Sequence, residues 1–326
     1  YTLKDGDGAT STATITVTVT GVNDAPTVTS SLVPDQTSID SQTIPTVDVT
    51  GMFHDVDTSD VLTYSTSGLP AGLSIDAATG VISGTLDHSA SQGGTDGVYT
   101  VTVTADDGHG GTVSHDFTWT VTNPSPVATD NHYTVGEDDG SAVVGNALTD
   151  GTPDSDPDGD PLSAVVATGV AGDHGGKFSI AADGKVTFDT NGDFEDLAVG
   201  ETRDTSYTYT LKDGDGATST ATITVTVTGA NNPPTAVGTL DHVERNDSTN
   251  VDIPTQQGFT DVDNGNVFTY GATGLPPGLS IDKDTGRITG TLTHDASQGG
   301  DHGLYTVVVT ATDSAGAPAS QTFTFQ

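Results

Sequence analysis

A chain of 326 residues with 45 Asp plus Glu against 8 Lys plus Arg carries a formal charge of −37, which excludes nucleic acid and anionic membrane surfaces as partners. With 41 Gly, 32% hydrophobic residues and no Cys, it suits about three small β domains that neither a disulfide nor a thiolate metal site can staple. No apolar run approaches the roughly 20 residues a bilayer-spanning helix needs, so membrane insertion is not expected.

The chain opens on Tyr1 to Gly21, YTLKDGDGATSTATITVTVTG, and the same residues recur without a change at Tyr209 to Gly229. Tyr, Leu, Ala, Ile and Val occupy alternate positions with Thr between them, the pattern of a half-buried strand pair. The Asp-Gly-Asp-Gly segment between the runs supplies turn residues, so each copy is expected to be a β-hairpin. Residues 1–22 therefore read as the closing hairpin of a truncated module. The linker Val22-Asn23-Asp24-Ala25-Pro26 follows, and a second module runs over 23–122, with strands expected around Val47 to Val49, Leu62 to Tyr64, Tyr99 to Ala105 and Val113 to Val121. A different module, 123–230, begins with Pro124 and Pro126 and ends in the second copy of the hairpin. Residues 231–326 nearly duplicate 23–122: GLPAGLSIDAATGVISGTL from Gly68 to Leu86 returns as GLPPGLSIDKDTGRITGTL from Gly274 to Leu292. The counterpart of Val121 would fall just past Gln326, so this module reads as clipped in its last strand. Short strands at turn-rich spacing, without helical periodicity, predict tandem antiparallel β-sandwiches of Ig-like or cadherin-like type, all-β, joined by short linkers.

The acids recur in a fixed order. Asp55-Val56-Asp57 and Asp261-Val262-Asp263 each follow a Phe and precede a strand. Asp107 and Asp313 close a long strand, and Asp213 holds that place in the hairpin. The middle module carries Asp154, Asp156, Asp158 and Asp160 in TPDSDPDGDPL, and Glu137 in Gly-Glu-Asp. Calcium takes 6 to 8 oxygens in flexible geometry and suits acids dispersed over loops, whereas magnesium demands a stricter octahedron. A single Asp-x-Asp is as well explained by an Asx-turn, and dispersed charge by a solvated acidic surface. The recurrence of the same order favours a metal. The middle loop has neither a Glu at the twelfth position nor flanking helices, which sets aside an EF-hand.

The Asp-x-Asp loops, the Ala-x-Asp strand ends and the Asn23-Asp24-x-Pro26 linker resemble those of cadherin-like domains. The GLPxGLSID signature is similar to the dystroglycan-type variety. The middle module, with VGED, DxDGDPL and its YTLKDGDGATSTATITVTVTG ending, resembles the cadherin-like repeats of large secreted bacterial adhesins of the RTX kind. That resemblance implies Ca2+ at the domain junctions. Carried over by residue, it implies Asn23, Asp24, Asp55, Asp57 and Asp107 at the first junction and Asp156, Asp158, Asp160 and Asp213 at the second. At the third it implies Asn231, Asn232, Asp261, Asp263 and Asp313, with Glu137 from the middle module. The second linker, Asn123-Pro124-Ser125-Pro126, lacks an acid and the third has Asn232 where the first has Asp24, so weaker sites are expected there.

The resemblance further implies a calcium-rigidified extender on the bacterial surface, extracellular and monomeric, with neighbouring repeats as its partners and a part in adhesion and biofilm formation. A calcium-dependent carbohydrate-binding module that contacts surface polysaccharide is the alternative, but the single Trp, Trp119, alternates inward. Enzymatic activity is not expected: there is no Cys, no G-x-S-x-G elbow and no HExxH pair. Self-cleavage at Asp156-Pro157 or Asp160-Pro161 is the remote exception.

Overall fold

The computed structural model describes residues 1–326, and apart from single 3-10 turns every regular element is a strand. The chain divides into two compact units, Tyr1–Pro124 with Pro157–Asp160, and Ser125–Asp156 with Pro161–Gln326.

In the first unit a four-stranded sheet orders Gln36–Ile39, Thr112–Thr122, Val98–Asp106 and Thr63–Ser67, and a smaller sheet joins Val47–Asp48, Val81–Gly84 and Leu73–Asp76. Alternate residues of the long strands, Val101, Val103, Phe117 and Trp119, face the same core as Met52 and Ile82. Trp119 is 1% exposed, and its indole N–H donates to Ser38 Oγ at 3.2 Å. It is a core residue and offers no platform to a sugar ring.

The second unit holds two sandwiches. In one, the sheet Asn131–Gly136, Thr218–Thr228, Thr202–Lys212, Ser163–Ala164 packs on Ser141–Asn146, Lys185–Asp189, Lys177–Ile180, Ala167–Ala171. Its core is aromatic, with the Phe178 and Phe188 rings 4.8 Å apart. The other sandwich repeats the plan of residues 25–122, with Ile288, Val307, Val309, Phe323 and Phe325 at its centre.

Most neighbours are antiparallel, as expected, but an early segment of each sandwich pairs parallel with its last strand. Gln36–Ile39 lies along Trp119–Thr122, Asn131–Gly136 along Ile223–Thr228, and Val243 bridges Phe325.

The GLPxGL signature is a folding device. Gly72 and Gly278 have φ of +91° and +94°, and a Cβ there would lie 2.0 and 2.1 Å from the carbonyl oxygens of Thr85 and Thr291, so only glycine fits. The Asp that ends the signature closes an Asx-turn. Asp76 Oδ1 accepts from Ala78 N at 3.0 Å and Thr79 N at 2.8 Å, and Asp282 Oδ1 accepts from Asp284 N and Thr285 N at the same distances.

The duplicated hairpin is paired in both copies, but to different extents. Strands Thr202–Lys212 and Thr218–Thr228 pair over eleven residues each, the four pairs from Tyr209 with Ala221 to Lys212 with Thr218 lying within Tyr209 to Gly229, and Tyr209 and Ile223 are 0% exposed. At Tyr1 to Gly21 only Thr2–Lys4 pairs with Thr10–Thr12, Ala13 onward is not strand, and Tyr1 and Ile15 are 69% and 70% exposed. The residues are identical, so the difference lies in what surrounds them: Thr222–Thr228 pair with Thr202–Thr208, which precede the repeated stretch. The strand Thr218–Thr228 is held by Asn131–Gly136 on its other edge and by a second sheet beneath it, and the N-terminal copy has neither. An isolated hairpin is marginal in water. Ile223→Ala should therefore cost about 2–5 kcal/mol and Ile15→Ala almost nothing. Urea titrations of the two variants would check this, and equal losses would show that the N-terminal copy has a packed core in solution.

Candidate metal centres

At the first linker the backbone is gathered around carboxylates. Asn23 Nδ2 donates to Asp107 Oδ2 at 2.9 Å and Asp24 N to Asp57 Oδ2 at 2.8 Å. Asp57 N in turn donates to Asp55 Oδ1 at 2.9 Å. The other oxygen of Asp107 accepts from His109 N at 2.7 Å and Gly111 N at 3.0 Å, which fixes a buried carboxylate at the end of Val98–Asp106. The amide of Asn23 and the two N–H bonds hold Asp107 below the usual carboxylate range. Asp55, Asp57 and Asp60 each bring an oxygen within 4.8 Å of the others. Asp60 also stands 3.3 Å from His109 Nδ1.

The third linker repeats this arrangement within the second unit. Asn231 Nδ2 donates to Asp313 Oδ2 at 3.0 Å, Asn232 N to Asp263 Oδ2 at 3.1 Å, and Asp263 N to Asp261 Oδ1 at 3.0 Å. Burial pushes the Asp313 carboxyl up, but the bonds from Asn231 and Ala317 outweigh it, and the net shift is downward. The preceding module contributes Glu137, whose Oε1 accepts from Ala230 N at 3.1 Å, and Glu195, whose backbone oxygen accepts from Asn232 Nδ2 at 3.0 Å. Glu137 is only 2% exposed. Burial, abetted by the charges of Asp138, Glu195 and Asp263, pushes its carboxyl up against the bond from Ala230. Burial likewise raises Asp263, with Asp261 and Asp313 adding to the effect.

Three buried carboxylate oxygens in these two clusters have no hydrogen-bond partner: Asp55 Oδ2, Asp261 Oδ2 and Glu137 Oε2. Such an atom costs about 1–3 kcal/mol, more when charged. An all-oxygen donor set, mutual repulsion and orphaned lone pairs together fit a hard divalent cation, and Ca2+ tolerates this dispersed geometry better than Mg2+ does.

The residues named for the second junction are divided. Asp156 and Asp213 lie in the second unit, whereas Asp158 and Asp160 fall in Pro157–Asp160 of the first. There Ser41 Oγ donates to the Asp158 carbonyl at 2.9 Å, and Asp160 Oδ1 lies 3.0 Å from His88 Nδ1. Asp213 Oδ1 accepts from Gly216 N at 2.6 Å and Ala217 N at 2.8 Å, the strand-end geometry of Asp107 and Asp313. Asp154 has a structural task. Its Oδ2 accepts from the buried Tyr209 hydroxyl at 2.8 Å and its Oδ1 from Thr129 N at 2.8 Å.

Sequence reasoning left out Asp60, Asp40, Glu195 and Asp196. Asp60 could have been found, since it is a further acid in the same short loop, three residues after Asp57. Asp40 is buried, accepts from Ser91 N at 2.8 Å and leaves its Oδ2 without a partner.

Residues 25–122 and 233–326 each match the family described as "Putative Ig domain", and together these matches span more than half of the chain. The chain belongs to this Ig-domain family. Between its two Ig-domain modules, residues 123–229 match the family described as "Bacterial cadherin-like domain". The comparison with curated proteins finds no match. Among solved structures, the chain is similar to mouse cadherin-23 EC22-24, with 17% identity, a TM-score of 0.47 and coverage of 94% of this chain and 99% of that one. Mouse protocadherin-24 EC1-3 gives 19% identity, a TM-score of 0.40 and coverage of 96% and 99%. Protocadherin gammaB7 EC3-6 gives 18%, 0.41, 93% and 73%. Likeness at this level says nothing about ligands or partners. The Ig-domain and cadherin-like modules fit an extender region of an adhesin, and modules of both kinds are typically structural or adhesive. No helix is long and apolar enough to cross a membrane.

Proposed function

We propose that this chain is a calcium-stiffened extender of a larger bacterial surface adhesin, exposed outside the cell, that holds a terminal binding module away from the surface in adhesion and biofilm formation. The observation that carries the reading is the pair of matching clusters at the first and third linkers, each an all-oxygen set with a buried carboxylate oxygen lacking a partner. Asn23, Asp24, Asp55, Asp57, Asp60 and Asp107 would hold one group of ions, and Asn231, Asn232, Asp261, Asp263, Asp313 and Glu137 the other. A bound cation supplies positive charge where carboxylates now repel one another. The residues of this chain set its place, because the linker amides and the Asx-turns already orient the oxygens. Ions shared between a linker and the loops that follow it would raise the cost of bending, since several charge-assisted contacts must break together.

The test is small-angle scattering with calcium and with chelator, on the wild type and on Asp55→Ala with Asp57→Ala. Chelation should broaden the distance distribution of the wild type. The double variant should be partly broadened in calcium and respond less to chelation. Identical curves in calcium and chelator would remove the stiffening role.

A further inference from the structure

The third linker has a fastening that contains no metal ligand set, built around Arg203. Its Nη1 and Nη2 donate to Asp196 Oδ1 and Oδ2 at 3.1 and 2.7 Å, a bidentate pair, and its guanidinium carbon lies 5.8 Å from the centre of the Phe194 ring. Asp196 also receives the next module. Asn264 Nδ2 donates to Asp196 Oδ2 at 3.1 Å, and Asn264 N donates to the Asp196 carbonyl at 2.9 Å. Arg203 and Asp196 belong to the cadherin-like module and Asn264 to the loop that presents Asp261 and Asp263. The bond from Arg203 keeps Asp196 ionised, below the usual carboxylate range. In the matching loop of the first linker Thr58 stands in the place of Asn264, and a hydroxyl cannot reproduce the amide's reach.

We infer that Arg203, Asp196 and Asn264 form a cation-independent latch that holds the cadherin-like module against the last Ig-domain module when calcium is absent. Arg203 supplies at this linker a fixed positive charge from the chain itself, in a molecule that has few. The planar fork orients the carboxylate, so that one of its edges faces Asn264, and the backbone bond fixes the register of the loop. The latch and the calcium reading are separate: one predicts the state of this junction in chelator, the other its response to added ion.

The chain has no Cys, so Thr208→Cys and Thr322→Cys, both on exposed strand positions of the two modules, accept spin labels selectively. In chelator the labelled protein should give a narrow interspin distribution, and adding Asn264→Ala or Arg203→Gln should at least double its width. Asn264→Asp, which sets a second carboxylate against Asp196, should widen it further. Asn264 is exposed, so its variants test the latch without threatening a core, and circular dichroism confirms the fold of Arg203→Gln. A wild-type distribution as wide in chelator as those of the variants, or variants as narrow as the wild type, would overturn the latch. Renewed narrowing of the variants on adding calcium reports on the calcium reading alone.

Discussion

Chelation of calcium should lower the melting temperature of the ligating modules by about 10–20 °C, and magnesium should restore little of it. An ion that binds only the folded state at a hundred times its dissociation constant contributes about 2.7 kcal/mol by mass action. In a domain of this size each kcal/mol moves the midpoint by roughly 4–8 °C. The cause lies in Glu137, Asp55 and Asp261, whose buried oxygens lack partners, and in Asp263, whose carboxyl its acidic neighbours help to push up. Differential scanning calorimetry with calcium, with magnesium and with chelator is the measurement. An unchanged melting curve in chelator would exclude calcium as a stabiliser.

The second large effect is an inversion at Glu137. Burial raises its folded-state pKa above the ordinary 4.5, so between that value and the raised one the folded chain binds more protons than the unfolded chain. Stability without metal therefore falls as the pH climbs through this window, and stays reduced above it. Glu137→Gln removes the charge. Its amide oxygen can still accept from Ala230 N, and its NH2 can donate toward the neighbouring carboxylates. In chelator at pH 7 the variant should be more stable than the wild type by about 1–3 kcal/mol, with a flatter profile between pH 4.5 and 7. In calcium the order should reverse, because a ligand has been lost. Urea titrations across that pH range, with and without calcium, separate the two effects. A variant less stable than the wild type in chelator would mean that Glu137 is a structural hydrogen-bond acceptor and no more.

Most of the strand plan can be read from local alternation, because a half-buried strand writes its burial into every second residue. The limit of that reading lies in Tyr1 to Gly21 and Tyr209 to Gly229. Identical letters pair with each other through three residue pairs in one place and four in the other, and only the second copy goes on as strand to Thr228, since the partners of Thr222–Thr228, Thr202–Thr208 and Asn131–Gly136, come from outside the repeated stretch. The glycines of GLPxGL announce a tight turn, though only the structure names the carbonyls of Thr85 and Thr291 that exclude a side chain. At the linkers the Asp-x-Asp, strand-end and Asn signals stand out because they occur twice. Glu195 and Asp196 occur in the single middle module and have no second copy to mark them, and Arg203 reads as one more surface cation until Asp196 is seen beside it. Asp154 reads as a loop acid because the Tyr209 hydroxyl that occupies it lies far along the chain.

The parallel pairing of an early strand with the last governs how a sandwich of this chain would bear tension. In the middle module Asn131–Gly136 runs beside Ile223–Thr228 through six residue pairs, pointing the same way, while the chain enters before the one and leaves after the other. A pull on the two ends slides these strands along each other, so the load falls on the whole row of backbone bonds at once and does not peel them singly from one end. In the module of residues 25–122 Gln36–Ile39 lies likewise against Trp119–Thr122, behind the shorter strand Thr27–Val28 that pairs with Phe53–His54. A chain stretched between an anchored cell and a distant foothold would meet drag with its hydrogen bonds in shear, the direction in which a ladder yields last.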